Sequence, residues 1–245
     1  MKKTDHPEES FRDPEFLESL EGRTLRILSE YLSPMTRLDK AKINSTILFL
    51  GSSKADPANA DSAFYRYYWE AEELAYLLAK WAISIRTPKG KDFVICTGAG
   101  PGIMEAANRG ASRAGGKTIG MNISLPQPQS PNPYVTPELS FSFHYFFMRK
   151  FWLAYKAKAV IIFPGGFGTL DEFFEIVTLL QTSKISKKEI SLVLYGEDYW
   201  RDLIKFDSMV EKGAICAADL KLFRICSTPR EAFSYLKKRL TELLV

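Results

Sequence analysis

The strongest constraint on this chain is an alternation of two periodicities. Short runs rich in β-branched and other apolar residues, Thr46 to Leu50, Asp92 to Thr97, Lys117 to Ile123, Ala159 to Phe163, Ile190 to Tyr195 and Leu222 to Cys226, alternate with longer amphipathic stretches. Those stretches run from Ser62 to Ile85, Gly102 to Ala114, Tyr145 to Lys156, Thr169 to Gln181, Tyr199 to Lys212 and Pro229 to Leu244. Strands separated by crossover helices predict an α/β fold, a doubly wound Rossmann-like parallel sheet with helices on both faces. In such a sheet ligands sit beyond the carboxyl ends of the strands, where the connecting loops gather.

With 245 residues and 46% hydrophobic content, the chain is long enough to bury one large core, read as a single domain over 41–245. Residues 1–40 are read as an N-terminal helical extension, with Phe16, Leu17, Leu20, Leu25, Ile27 and Leu28 at near-helical spacing. That segment either packs on the main body or reaches a partner subunit. Net charge is only +4 and is spread along the chain, which argues against a nucleic-acid partner. Cys96, Cys216 and Cys226 lack any CxxC spacing and are expected to be reduced core thiols in a cytoplasmic protein. No stretch approaches the length of a membrane span, and residues 1–20 have no apolar leader. The prolines at 126, 128, 131, 133 and 137 exclude helix or central strand there and suggest a lid or an interface arm.

Three of the predicted strands run into glycine-bearing loops: Gly51-Ser52-Ser53, Gly98-Ala99-Gly100-Pro101-Gly102 and Pro164-Gly165-Gly166-Phe167-Gly168-Thr169. Without Cβ atoms, backbone N–H groups can turn toward an anion, and the helix that follows adds its positive N-terminus. A phosphate is the natural guest. Gly165, Gly166, Gly168 and Thr169 form the expected cradle, with Thr169 also placed to cap the next helix, and Ser52, Gly98 and Gly100 stand beside it. One such loop alone is equally a mere turn; three at one sheet edge favour a ligand.

Neither common nucleotide motif is present: there is no G-x-x-x-x-G-K-[ST], and Gly98 to Gly102 breaks the spacing of a dinucleotide fingerprint. In the helix after the third loop, Glu172 lies three residues beyond Thr169, where it can face a sugar attached to the phosphate. Asp171 is read as compensating the helix dipole and Glu175 as a supporting or structural group. Upstream, Arg149 and Lys150 lie in a strongly aromatic helix. Both are candidate anion ligands; the planar fork of Arg149 suits phosphate or carboxylate, while Lys150 is better able to snorkel to solvent. His144 is read as a hydrogen-bonded loop residue, and no cluster has metal-ligand spacing.

Pro164-Gly165-Gly166-Phe167-Gly168-Thr169-Leu170-Asp171-Glu172 resembles the PGGxGTxxE motif of the LONELY GUY (LOG) family of nucleotide phosphoribohydrolases, long labelled lysine decarboxylases. The order of a GSS strand end, a glycine loop running into Ile103-Met104-Glu105, an Arg-Lys pair and the motif agrees over roughly residues 43 to 230. The resemblance implies hydrolysis of a nucleoside 5′-monophosphate to free base and ribose 5-phosphate without cofactor or metal. It places the family's essential arginine and glutamate on Arg149 and Glu172, and it implies a homodimer with the site near the subunit interface, which the aromatic Phe141 to Trp152 segment would support. Plant-type members carry GGG and a histidine two residues before the arginine; here Gly98-Ala99-Gly100 and Phe147 stand instead, which suggests a longer branch with its base preference open.

Two rival readings use the same residues differently. A non-catalytic nucleotide sensor keeps the glycines but has no need of both Arg149 and Glu172. A pyridoxal-phosphate decarboxylase needs a Schiff-base lysine and a large cofactor domain, neither of which the sequence displays.

Overall fold

The protein is described here by a computed structural model covering residues 9–86, 93–126, 130–186 and 188–244. In chain order the elements are α1 (Pro14–Glu18), α2 (Arg23–Lys40), β1 (Ser45–Leu50), α3 (Tyr65–Ser84), β2 (Phe93–Thr97), α4 (Ile103–Arg113), β3 (Thr118–Ile123), β4 (Ser140–Phe143), α5 (Phe146–Tyr155), β5 (Ala157–Ile162), α6 (Phe167–Gln181), β6 (Ser191–Tyr195), α7 (Glu197–Leu203), α8 (Phe206–Glu211), β7 (Phe223–Cys226) and α9 (Pro229–Glu242). The strands form one parallel sheet in the order β4-β3-β2-β1-β5-β6-β7. Strand order reverses between β1 and β5, so a crevice opens past the carboxyl ends of that central pair.

The two faces of the sheet follow from the period-2 alternation of each strand. Ile47 and Phe49 of β1, with Ile161 of β5 and Val193 of β6, pack under α3, α4 and α9. Their neighbours Leu48, Leu50, Ile162 and Leu194 pack under α2, α5, α6 and α7. Both surfaces being covered, the central strands are buried along nearly their whole length. Each fully buried ring in these layers, such as Phe173 or Trp200, contributes about 1.5–3 kcal/mol of transfer free energy.

A proline sits inside α2, and its consequence is visible in a neighbouring helix. Pro34 has no N–H for the carbonyl four residues earlier, and that carbonyl, Glu30 O, instead accepts a 3.0 Å bond from Trp152 Nε1 of α5. The side chain of Glu30 also accepts from the backbone amides of His144 and Tyr145, at 2.7 and 3.3 Å. The helix is thereby tied to the start of α5, the helix that carries Arg149.

Several expectations need correction. A seventh strand, β4, lies beyond the six anticipated: four residues whose alternating burial marks a half-covered edge strand. The helix expected over Tyr199 to Lys212 is two, α7 and α8, separated at Ile204 and Lys205. Leu25 and Leu28 are nearly half exposed and Leu20 more so, whereas Ile27, Tyr31, Met35 and Leu38 carry the buried face of α2. Cys216 is exposed, unlike the buried Cys96 and Cys226; all three are free thiols. Asp92 and Pro128 lie outside the described residues. The described part of the proline-rich connection is bonded to the loop after β2 and to α4 through one residue. Asn132 is buried, its backbone N–H donates to Ala99 O at 2.8 Å, and its amide donates to Gly100 O at 3.1 Å and to Asn108 Oδ1 at 3.0 Å. No helix among the described residues is long and apolar enough to cross a membrane.

Candidate active site

The loops after β1, β2 and β5 meet at the strand-order reversal and are stitched to one another by backbone bonds. Phe163 N donates to Leu50 O at 2.8 Å, Ser52 N to Pro164 O at 2.9 Å, and Ile103 N to Ser52 O at 3.0 Å. Such close approach of three backbones leaves no space for side chains. A Cβ at Gly102, which also has φ 70°, would overlap the Ser52 carbonyl; one at Gly165 would overlap the Thr169 hydroxyl and lie 2.9 Å from the Ser52 amide. By contrast a Cβ at Gly166 or Gly168 would meet no atom within 4 Å, because both border the open cleft.

That cleft has a volume of about 430 Å³. Along one wall runs the start of α6, where Gly166 is the N-cap without any capping side chain. Thr169 therefore does not cap: the helix begins two residues before it, which puts Thr169 in the first turn with its side chain beside Gly165. Among the described residues, no acceptor is present for the backbone N–H groups of Gly165, Gly166, Phe167, Gly168 or Thr169. Such a run of unpaired amides lies at the positive end of α6.

Arg149 from α5 and Glu172 from α6 meet at the bottom of the same cleft, with Nη2 to Oε1 at 2.9 Å and both side chains largely buried. Burial pushes the Glu172 carboxyl above the ordinary carboxylate range, and the Arg149 guanidinium opposes that rise by favouring the anion. Arg149 also lies 5.4 Å from the Phe146 ring centroid, and its buried Nε has no acceptor among the described residues. A charged donor held out of water without a partner is a costly arrangement, and one that a bound anion or hydroxyl relieves.

Of the residues singled out from sequence, Ser52, Gly98, Arg149, Gly165, Gly166, Gly168, Thr169 and Glu172 line the cleft together. Gly100 and Lys150 do not. The Gly100 carbonyl is bonded to Asn132, and Lys150 reaches α6 outside the cleft, where its ammonium pairs with Asp171 at 2.9 Å and Glu175 at 2.8 Å. That pairing also gives Asp171 and Glu175 their partner. Sequence reasoning missed Lys54, Phe64, Met104 and Tyr199, which complete the walls. Lys54 is an exposed cation following Ser52, whose hydroxyl accepts from the Lys54 amide at 3.0 Å, and among the described residues no carboxylate pairs with its ammonium. Among the described residues no group of three His, Cys, Asp or Glu side chains is arranged to hold a metal.

A family model described as "Possible lysine decarboxylase" matches residues 104–236. A pyrimidine/purine nucleotide 5′-monophosphate nucleosidase of Escherichia coli (strain K12) is 31% identical over 133 residues, which is 47% of this chain and 28% of that protein. This chain therefore corresponds to well under half of that relative. A probable cytokinin riboside 5′-monophosphate phosphoribohydrolase of Arabidopsis thaliana is 26% identical over 206 residues, covering 83% of this chain and 92% of the relative. Among solved structures, the molybdenum cofactor binding protein of Rippkaea orientalis superposes with a TM-score of 0.53 at 21% identity, over 80% of this chain and 96% of its own. The Moco carrier protein of Chlamydomonas reinhardtii gives 0.52 at 22% identity, over 81% and 99%. These two likenesses establish the shared Rossmann-like architecture.

Proposed function

This chain belongs to the possible lysine decarboxylase (LOG) family, and on that premise we propose that it hydrolyses the N-glycosidic bond of a nucleoside 5′-monophosphate. The observation that carries the reading is the coincidence, in one cleft, of the unused amides of residues 165–169 with the buried Arg149–Glu172 pair. The phosphate accepts from those amides and from the Thr169 and Ser52 hydroxyls. The ribose then lies toward Glu172, whose carboxylate stabilises the positive charge that develops on the sugar as the base departs. Water attacks C1′ as the C1′–N bond breaks; Glu172 takes a proton from that water and later releases it to solvent, while the departing base takes up one proton from solvent and leaves neutral. Arg149 keeps Glu172 anionic and uses its remaining donors on the nucleotide.

The test is incubation of the purified protein with AMP, CMP and GMP, followed by chromatography for free base and ribose 5-phosphate. Release of base from at least one is expected; tight binding of all three with no base released would make the protein a nucleotide sensor instead. The decarboxylase chemistry in the family description does not fit these residues. A pyridoxal ring needs a Schiff-base lysine and an acidic partner for its nitrogen, but the cleft's carboxylate is taken by Arg149 and its lysine, Lys54, is exposed.

Lys54 replaces Lys150 as the second phosphate cation in this reading. With Arg149 and Glu172 cancelling each other, Lys54 supplies the net positive charge a dianionic phosphate requires. Lys54→Ala is expected to raise KM for AMP by about tenfold, as loss of one charge-assisted bond implies. Hydrolysis of the unphosphorylated nucleoside, measured alongside, should be unaffected.

We also propose that the protein is a homodimer. Phe147 and Tyr155 of α5 are half exposed, and Phe167 at the rim of the cleft is 93% exposed, an apolar face beside the site that a second copy would cover. Light scattering coupled to gel filtration should give twice the 27.8 kDa chain mass. Replacing Phe147 and Tyr155 by Asp together should return it to the monomer value.

A further inference from the structure

Tyr199 stands on none of the glycine loops, yet its hydroxyl donates a 2.7 Å bond to the carbonyl of Gly165. It reaches there from the first turn of α7, the element that follows β6. We infer that Tyr199 is a positioning residue for the phosphate-binding turn, a fixed prop that aims the Gly166 amide; the inference rests on the phosphate reading of that turn given above.

Two observations make the prop rigid. The residues on either side of Tyr199 are both anchored. Asp198 accepts from the Tyr67 hydroxyl at 3.2 Å and pairs with Arg66, fastening the start of α7 to α3. Trp200 is fully buried, and its Nε1 donates to Tyr195 O at 2.9 Å. Just before them Gly196, with φ 92°, makes the turn out of β6 where a Cβ would press on the Tyr67 ring. With its neighbours held and its ring packed 5.3 Å from Trp200 and 6.2 Å from Phe64, Tyr199 has little freedom to follow the loop. The loop must follow Tyr199.

The consequence for the site comes from peptide geometry. Across a planar trans peptide the carbonyl of one residue and the N–H of the next point in opposite directions. Fixing Gly165 O on Tyr199 therefore fixes the direction of the Gly166 N–H, the amide at the N-cap of α6 and one of those without an acceptor. At a glycine-glycine step the peptide has the most freedom to flip, so a hydrogen bond from a rigid neighbour is where orientation is gained. The amide is then aimed before any ligand arrives.

Tyr199→Phe tests this, because the ring remains and only the hydroxyl is lost. Expected are a roughly tenfold rise in KM for AMP with kcat within threefold of wild type. Ribose 5-phosphate, titrated calorimetrically, should bind weaker by the same factor, and amide hydrogen exchange across residues 163–173 of the ligand-free protein should quicken. The melting temperature should hold within a few degrees. Equal ribose 5-phosphate affinity and equal exchange in the two proteins would overturn the inference, as would a fall in kcat with KM unchanged. If wild type releases no base while Tyr199→Phe still weakens ribose 5-phosphate binding, the prop stands and the hydrolytic reading fails.

Discussion

Glu172→Gln is expected to lower kcat for nucleotide hydrolysis by about 10³-fold while leaving KM within a few-fold of wild type. The substitution is nearly isosteric, and a glutamine oxygen can still accept from Arg149, so the 2.9 Å contact has a replacement and the fold should hold. In the proposed mechanism what disappears is the negative charge facing the sugar and the base that takes water's proton. Both are needed only as the transition state forms, which is why the loss should fall on kcat rather than on binding. Steady-state kinetics by base release, with circular dichroism melting as a fold control, reads both. The wild-type pH profile carries the same signature. Because burial raises the Glu172 carboxyl above its ordinary value of 4.5, the acid limb of kcat/KM should lie above that pH and fall as the carboxylate is protonated. Arg149→Ala removes the charge that opposes the rise, so whatever activity remains should have its limb displaced to still higher pH. Stability runs the other way. With the folded value above the unfolded one, the protonated carboxyl favours the fold, and that contribution is withdrawn as pH rises through the folded value. The anion that the proposed hydrolysis requires is thus one the fold holds at a cost.

The parallel sheet and the cleft-lining motif were legible in the sequence because each rests on a local rule. Alternation of strand and helix periods reports the sheet directly, and glycine runs report where backbones crowd. The strand β4 escaped because Ser140-Phe141-Ser142-Phe143 is short, follows the prolines and runs into an aromatic helix, so its period of two has little length in which to declare itself. Lys150 was misplaced for a geometric reason. Successive residues on a helix point about 100° apart, so Lys150 is turned away from the direction Arg149 takes, and only its contacts with α6 show where it goes. Gly100 differs from Gly98 in its link to Asn132, a partner 32 residues away that nothing nearby announces. Lys54 and Tyr199 lie in a loop and in a short helix, and only the fold brings them to the wall of the same cleft.

Comparing glycines within one motif separates what the turn needs from what its ligand needs, and the expected effects are large. Gly165→Ala places a methyl against the Thr169 hydroxyl, with the Ser52 amide 2.9 Å away, so the turn must shift from β1 and the Ser52–Pro164 bond must loosen. Such overpacking costs about 1–3 kcal/mol of stability, enough to lower the melting temperature by several degrees. With the amides displaced and the Tyr199 contact disturbed, kcat/KM for AMP should fall by about 10²-fold or more. Gly166→Ala and Gly168→Ala differ in kind. Their methyls meet no protein atom within 4 Å, so melting should be close to wild type. Each methyl projects into space that the phosphate would occupy, and ribose 5-phosphate affinity should drop at least tenfold in one of them. Calorimetric titration and thermal melts on the three variants decide the matter. If Gly166→Ala and Gly168→Ala both bind ribose 5-phosphate as wild type does, the anion does not sit on this turn, whatever Gly165→Ala does to the fold.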